Sequence, residues 1–291
     1  MSKTSSYATP ASLRQALEHR LNRQAEAQGV DVIRLRRHVA FDRLLARVFS
    51  MEGGPWLLKG GYFLELRLQE ARATRDIDLT LLNPTALPTA DSLSLRLQAG
   101  LQMLVDIDAG DFFQFMVGPV MLEIDAAPYG GARLPVDARL AGRTFARFHV
   151  DIGVGDTLIG HGEMVDGGDW LGFAGINPPR IACISTEQQF AEKLHAYAMP
   201  ARPSTNSRVK DLVDLALLIL RLPLDPDRLR KALDLTFSRR QSYPLPTDLL
   251  EPPHAWDAPF NALAVETNLG LSMAEAFELV RSFCKGVLVP F

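Results

Sequence analysis

Two short motifs that could do chemistry together lie close to each other in the sequence. A glycine pair, Gly60-Gly61, precedes two carboxylates, Asp76 and Asp78, which are separated by one isoleucine. Glycines adopt positive φ and carry no Cβ, so their backbone N–H groups can approach phosphate oxygens. Paired carboxylates suit Mg²⁺, which keeps positions open for substrate phosphates. Either motif alone is common in turns or on solvated strands, but their order and spacing indicate a site for a nucleotide and a divalent cation.

A strand, a turn and a helix, followed by a second strand, would position these groups. The apolar residues 56–58 predict a short strand before the glycines, and an apolar run through Leu68 predicts a helix after them. Residues 76–82 predict a strand, whose side chains alternate between two faces. Asp76 and Asp78 would therefore point the same way, one pleat apart.

A third carboxylate is expected on a later strand. Residues 139–154 predict a strand in which Asp151 falls on the polar side, opposite a regular series of apolar side chains. Two metal ions at a phosphoryl displacement need more oxygen ligands than one Asp-X-Asp pair offers. The competing candidate is Asp125, which shares a face with Glu123 in a predicted strand over 120–125.

Composition and charge exclude several classes of protein. The chain has 291 residues, with 47% hydrophobic and 22% charged residues, which is typical of a globular protein large enough for two domains. Its two cysteines are far apart and outside any Cys/His cluster, so neither a disulfide framework nor a zinc site is expected. Because no leader and no apolar run of membrane-spanning length is evident, we expect a cytoplasmic protein without a membrane partner.

The positive charge is concentrated near the start of the chain. The net charge is −3, but the first fifty residues contain nine Lys or Arg against four Asp or Glu. A phosphate-rich substrate would favour such a basic segment, and solvated helix faces would explain it equally well.

The chain divides into three predicted segments. Residues 1–50 predict two helices, residues 51–176 contain the strands and the candidate chemistry, and residues 177–291 are helical in pattern. In the third segment, Lys193 lies off the buried stripe of one predicted helix. Lys210 and Asp211 lie on the polar side of the next.

Four sequence blocks, taken in order, resemble the AbiEii/AbiGii toxin family of nucleotidyltransferases, which includes the mycobacterial MenT toxins. The blocks are KGGYFLELR at 59–67, RATRDID at 72–78, EKLHA at 192–196 and RVKDLVDL at 208–215. The resemblance implies an α+β fold with a polymerase-β-like nucleotidyltransferase core, a mixed sheet with flanking helices, and an α-helical C-terminal domain.

The same resemblance implies a function. It implies the toxin of a toxin–antitoxin system, with a cognate antitoxin protein as partner. MenT-like members transfer nucleotides from NTP to the 3′ acceptor end of tRNA and so block translation. Mg²⁺ or Mn²⁺ is the implied cofactor.

Residue roles follow from the matching positions. Asp76 and Asp78 would hold the metal, with Asp151 as the third acid. Lys193 would contact the triphosphate and neutralise charge on the leaving pyrophosphate. Asp211 matches an acidic residue that the family needs for activity.

Further residues are expected to bind the nucleotide. Lys210 flanks the acidic position, and Arg72 is either a loop arginine or a phosphate contact. Gly60 and Gly61 would cradle the phosphates. Tyr62 stands where many relatives have Ser or Thr, and its bulk is expected to change that nucleotide contact.

Two other functions remain open at this point. The acceptor could be a protein hydroxyl, as in AMPylation. The chain could also be a catalytically degenerate binding protein, which the tyrosine at position 62 makes worth considering.

Overall fold

The computed structural model describes residues 6–51, 53–68, 70–124, 127–156, 158–160, 162–199 and 208–288. Within these ranges the helices are α1 (Pro10–Gln28), α2 (Val32–Val48), α3 (Gly60–Arg67), α4 (Leu93–Val105), α5 (Thr186–Tyr197), α6 (Val209–Arg221), α7 (Pro226–Arg240), α8 (Asp257–Glu266) and α9 (Met273–Leu288). The strands are β1 (Trp56–Lys59), β2 (Asp76–Leu81), β3 (Phe113–Val117), β4 (Leu122–Glu123), β5 (Gly131–Leu140), β6 (Arg143–Val154), β7 (Glu163–Asp166) and β8 (Arg180–Cys183). The competing third acid, Asp125, lies outside the described residues.

Local capping explains where the first two helices begin and end. The Thr9 hydroxyl accepts from the Ser12 backbone N–H at the start of α1, and Gly29 ends that helix in the left-handed conformation at φ 63°. Asp31 accepts from the Ile33 backbone N–H at the start of α2. Both predicted N-terminal helices are therefore confirmed.

The described strands form one mixed eight-stranded sheet. Its order is β3-β5-β6-β2-β1-β8-β7, and β4 pairs with β5. Strand β2 runs parallel to β6 and antiparallel to β1, while β8 runs parallel to β1. The predicted α+β class, with a central mixed sheet flanked by helices, is confirmed.

A tight hairpin replaces the single strand predicted over 139–154. Ala141 and Gly142 both have positive φ, 54° and 71°, which suits a two-residue turn between antiparallel strands.

Pro135, which in the sequence predicts the end of a strand, lies inside β5 instead. Its carbonyl accepts from the Gly118 backbone N–H at 2.8 Å, at a position of β5 between the segments that pair with β3 and β4. A proline is tolerated there because no ladder bond needs its missing N–H.

One face of the sheet is buried against helices of the N-terminal segment. Helix α2 packs against β6 and β8. The rings of Phe41 on α2 and Phe148 on β6 meet edge to face, with centroids 4.8 Å apart. The opposite face of β2 and β6 carries Asp76, Asp78 and Asp151.

Much of the basic charge of the N-terminal segment serves the fold. Arg43 and Arg47 are buried and form ion pairs of 2.6 and 2.7 Å with the fully buried Asp111. Arg14 donates to three backbone carbonyls at the β5–β6 turn. Arg36 pairs with Glu18 at 2.7 Å. These four arginines are therefore structural, and the burial of Arg43 and Arg47 fits neither a phosphate-binding segment nor the alternative of solvated helix faces.

The chain divides into two compact units. The first is Met1–Tyr62, Ala73–Gly155 and Met164–Cys183, and the second is Phe63–Arg72, Asp156–Glu163 and Ile184–Phe291, as far as these ranges are described. This division differs from the three segments expected from the sequence, because α1 and α2 pack on the sheet and belong to its unit.

The second unit is mainly helical. Helix α5 packs against α6 and α7, and α6 also packs against α8 and α9. Ser185 caps α5 by accepting from the Gln188 backbone N–H. None of the helices in the described part of the chain is both long and apolar enough to cross a lipid bilayer.

Candidate active site

The predicted acids lie side by side on two parallel strands. In the register of β2 and β6, Asp78 pairs with Asp151 and Asp76 pairs with His149. Neighbouring strands lie about 4.8 Å apart, and paired residues point to the same face. The sheet therefore brings Asp151 next to the Asp76/Asp78 pair, although it lies more than seventy residues away in sequence.

The glycine turn lies directly against one of these acids. Gly60 has φ 72°, and a Cβ added to it would lie 2.0 Å from Oδ2 of Asp78. The carboxylate thus occupies the space that any other side chain at position 60 would need. Helix α3 begins at Gly60, so the positive end of its dipole lies beside Asp78. The structure therefore places the glycine turn directly beside the acidic strand.

An arginine that the sequence analysis missed neutralises the third acid. Arg133 on β5 donates from Nε and from a terminal guanidinium nitrogen to the two oxygens of Asp151, at 2.7 and 2.6 Å. The same guanidinium lies 3.8 Å from Asp76. Hydrogen bonding to Asp151 holds the pKa of Arg133 above its ordinary value. The alternation of polar and apolar residues along β5 could have identified this residue, but Pro135 and Gly131 interrupt that pattern.

Two of the three predicted acids have the placement that one divalent cation needs. Among the described residues, no three His, Cys, Asp or Glu side chains are arranged to hold a metal together. Both oxygens of Asp151 are hydrogen-bonded by Arg133, and Oδ1 of Asp76 lies 3.0 Å from Nδ1 of His149. Mg²⁺ needs only one or two protein carboxylates when water and phosphates complete its shell. Asp76 and Asp78, on one face and one pleat apart, meet that requirement.

Tyr62 does not occupy the nucleotide contact that its position in the motif suggested. Its side chain is buried at 2% exposure, and its hydroxyl donates to Oδ1 of Asp42 at 2.6 Å. Its ring also packs edge to face on Phe41, with centroids 4.9 Å apart. The expectation of a bulky side chain against the triphosphate is corrected, because the third residue of α3 faces the apolar core.

Asp42 is a buried carboxylate that sequence reasoning did not single out. Besides the Tyr62 hydroxyl, it accepts from the Gly168 backbone N–H at 2.6 Å and from Nε1 of Trp170 at 3.0 Å. Burial raises the pKa of Asp42 to about 6, although these hydrogen bonds oppose the rise. The group connects α2 to Tyr62 and to the segment at Gly168 and Trp170, and it is not part of the acidic face.

The second unit contains a buried cluster of charges built around Asp214. Arg72 donates to both oxygens of Asp214, at 3.0 and 2.9 Å. Nζ of Lys193 lies 2.7 Å from Asp214 and 3.1 Å from Asp211. Arg208 lies 3.3 Å from Asp211. Among the described residues, the three cations Arg72, Lys193 and Arg208 face the two carboxylates Asp211 and Asp214 in this cluster.

Electrostatics within this cluster favours the charged forms. Burial alone would lower the pKa of Lys193, but the charges of Asp214 and Asp211 outweigh it and hold that pKa above its ordinary value. Lys193 and Arg72 likewise hold the pKa of Asp214 low despite complete burial. Arg72, for which the sequence allowed either a loop arginine or a phosphate contact, forms an ion pair with Asp214 in this cluster. Lys210 is exposed on α6 and lies outside the cluster.

His195, which follows Lys193 by two residues on α5, is a packed structural residue. Its ring stacks on Tyr243 with centroids 4.7 Å apart and meets Phe237 edge to face. Burial lowers the pKa of His195 to about 4, so the ring is neutral near pH 7. No nucleophile is hydrogen-bonded to it among the described residues.

Comparison with known structures supports the nucleotidyltransferase fold. The chain is similar to MenT4, a nucleotidyltransferase toxin from Mycobacterium tuberculosis H37Rv, with 18% identity and a TM-score of 0.55 over 93% of this chain and 97% of that one. It is also matched to JHP933 from Helicobacter pylori, with 14% identity and a TM-score of 0.42 over 87% of this chain and 96% of that one. The likeness to MenT4 shows a shared fold. No curated protein sequence matches the chain.

The family model provides the assignment. The model described as nucleotidyl transferase AbiEii toxin of type IV toxin–antitoxin systems matches residues 43–278, which cover most of both units and every predicted site residue. Membership implies a nucleotide substrate and an antitoxin partner. The chain belongs to the AbiEii family of nucleotidyltransferase toxins.

Proposed function

We propose that this toxin transfers nucleotides from NTP to the 3′ acceptor end of tRNA and so blocks translation, with Mg²⁺ or Mn²⁺ held by Asp76 and Asp78. The observation that carries the proposal is the contact between the Gly60 backbone and the Asp78 carboxylate. It brings a phosphate-binding turn and an acidic pair together on one face of the sheet. A nucleotide with its divalent cation would need both groups at this distance from each other.

In the proposed reaction, the acceptor 3′ oxygen bonds to the α-phosphorus of NTP and the bond to pyrophosphate breaks. When bound, the divalent cation would neutralise phosphate charge and favour the ionised form of the attacking hydroxyl. Asp76 and Asp78 would hold the cation, and the backbone N–H groups at Gly60 and Gly61 would orient phosphate oxygens. Most of the rate acceleration then comes from positioning and from charge neutralisation.

We also infer that Lys193 and Asp211 are required for activity. Both lie in the charged cluster of the second unit, where their geometry is fixed by short ion pairs. Such a cluster attracts phosphate, and the family resemblance assigns a triphosphate contact to this lysine. Lys210, being exposed, would affect activity less than either residue.

The choice of tRNA as acceptor rests on the family resemblance, and the sheet face adds exposed arginines that a nucleic-acid backbone could contact. Arg147 lies two residues before His149 on the polar face of β6, and its side chain is 76% exposed. Arg139 on β5 lies on the same face at 39% exposure, and the two arginines share one carboxylate partner, Asp137, at 2.8 and 3.6 Å. Exposed arginines gain affinity for a nucleic-acid backbone by releasing its counterions.

The direct test is a transfer reaction with purified protein. We would incubate it with each labelled NTP, Mg²⁺ and total tRNA, and then sequence the RNA 3′ ends. Asp78→Asn should abolish labelling, because it removes a metal ligand without changing side-chain size. The matched control is Glu18→Gln, which changes an acid of the same unit that pairs with the structural arginines Arg14 and Arg36.

The same reaction distinguishes the alternatives. Label that migrates with protein would favour a protein hydroxyl as the acceptor. Toxicity in cells that survives Asp78→Ala would favour a binding protein without catalysis. Absence of labelled RNA under conditions where a MenT toxin labels tRNA would refute the proposal.

A further inference from the structure

Four charged residues form a row across the sheet at the candidate metal site. Lys59 on β1 pairs with Asp78 on β2, Asp78 pairs with Asp151 on β6, and Asp151 pairs with Arg133 on β5. Residues paired in this way point to the same face. Two carboxylates are therefore flanked by a cation on each side, and the row as a whole is neutral.

Arg133, the cation on β5, forms a close ion pair with Asp151. Arg133 makes a two-bond, side-on contact with Asp151, with both donor–acceptor distances below 2.8 Å. This geometry is among the strongest that side chains form, and an arginine stays charged at any physiological pH. The Asp151 side chain is only 18% exposed, so little solvent weakens the pair.

The same contact bears on how many cations the acids can hold. A divalent ion on Asp151 would have to lie within about 2.1 Å of an oxygen that already accepts from Arg133. The guanidinium and the ion would then repel each other at close range. The guanidinium also extends to 3.8 Å from Asp76, on the side where a second ion shared between Asp76 and Asp151 would lie.

We propose that Arg133 is a positioning residue that takes the place of a second divalent cation, so that this toxin binds a single metal ion on Asp76 and Asp78. Arg133 does so by holding Asp151 in an ion pair instead of leaving it to coordinate metal. The inference rests on the proposed function, since it concerns the same acidic face. It specifies the metal stoichiometry, which the family assignment leaves open.

The test is Mn²⁺ binding to the intact protein without nucleotide, followed by electron paramagnetic resonance of the free ion. The wild type should bind one Mn²⁺. Arg133→Met keeps an apolar stem of similar length and removes the charge, so it should bind a second Mn²⁺ or bind the first roughly tenfold more tightly. The arginine is 36% exposed on its side chain, which leaves room for the substitution.

A charge-neutral double variant provides the matched control. Arg133→Met with Asp151→Asn removes one positive and one negative charge, and it should restore the wild-type stoichiometry and an affinity within about twofold of wild type. A loss of tenfold or more in the double variant would mean that Asp151 is a ligand, and the proposal would be overturned. Two bound ions in the wild type, or an Arg133→Met variant identical to wild type, would overturn it as well.

Failure of the inference can be separated from failure of the proposed function. If the wild type binds one or more Mn²⁺ and Asp78→Asn abolishes that binding, the metal role of the acidic pair stands whatever Arg133 does. If the wild type binds no Mn²⁺ and transfers no nucleotide, both proposals fall. Melting temperatures of all variants, measured in parallel, identify any variant that does not fold. Arg133→Gln then replaces Arg133→Met with the same expected results.

Discussion

Replacing the buried carboxyl Asp42 by asparagine should change how stability depends on pH. Burial raises the pKa of Asp42 to about 6 from an ordinary value of 3.8. The native state therefore binds this proton more tightly than the unfolded chain does. The stabilisation of the native state by this bound proton is fully present below about pH 4 and is lost as the pH rises through about 6. The difference between the two pKa values corresponds to about 3 kcal/mol of unfolding free energy.

Asparagine can take part in each of the three hydrogen bonds observed at this position. Its amide oxygen can accept from the Gly168 N–H and the Trp170 indole, as one carboxylate oxygen does now. Its amide nitrogen can donate to the Tyr62 oxygen. At about pH 7 Asp42→Asn should therefore be more stable than wild type by up to about 3 kcal/mol, and by much less near pH 4.

The measurement is urea unfolding, followed by tryptophan fluorescence, at several values between about pH 4 and about pH 7.5. The free-energy difference between Asp42→Asn and wild type should grow with pH across this interval. A difference that is constant with pH, or a variant less stable than wild type at neutral pH, would refute the reasoning. Tyr62→Phe provides a second check, because losing a donor should raise the pKa of Asp42 further while leaving nucleotide transfer intact.

Two further substitutions test the site and the charged cluster. Gly60→Ala should abolish nucleotide transfer, because its Cβ would lie 2.0 Å from Asp78. The control Gly142→Ala should retain activity, because Gly142 has almost the same φ, 71°, and nothing lies within 4 Å of the added Cβ. Equal activity of the two variants would contradict the proposed contact. Asp214→Asn should destabilise the protein by about 3 to 5 kcal/mol, because it leaves a buried lysine and arginine without their shared partner. Lys210→Ala, on the exposed side of the same helix, should change stability by less than about 0.5 kcal/mol in the same unfolding experiment, and a comparable loss in both variants would argue against a special role for the cluster.

Strand alternation predicted the acidic face because it depends only on local geometry. Asp76 and Asp78 are separated by one residue, so any strand there must place them on one face. Asp151 followed from the same rule on β6. That Arg133 would lie beside Asp151 in the sheet could not be predicted in the same way. Register between distant strands is set by packing and turn geometry, which a single sequence does not display.

The errors have the same origin. Pro135 and the glycines before it predict a break, yet the proline fits inside β5 where no ladder bond requires its N–H, and so Arg133 was missed. Tyr62 was interpreted from its neighbours in the motif, whereas the direction of its side chain is set by the helix that begins at Gly60. A motif locates a backbone site better than it locates the side chains that follow.

The contact between Gly60 and Asp78 also constrains how this site can change over evolutionary time. A side chain at position 60 fits only if position 78 has become smaller, and a smaller residue at 78 has lost its carboxylate. Neither position can drift alone without disrupting the other. We therefore expect the two positions to covary among relatives, so that a chain which has lost the glycine has lost the acid too. An alignment in which position 60 carries a Cβ while position 78 remains Asp would contradict this coupling.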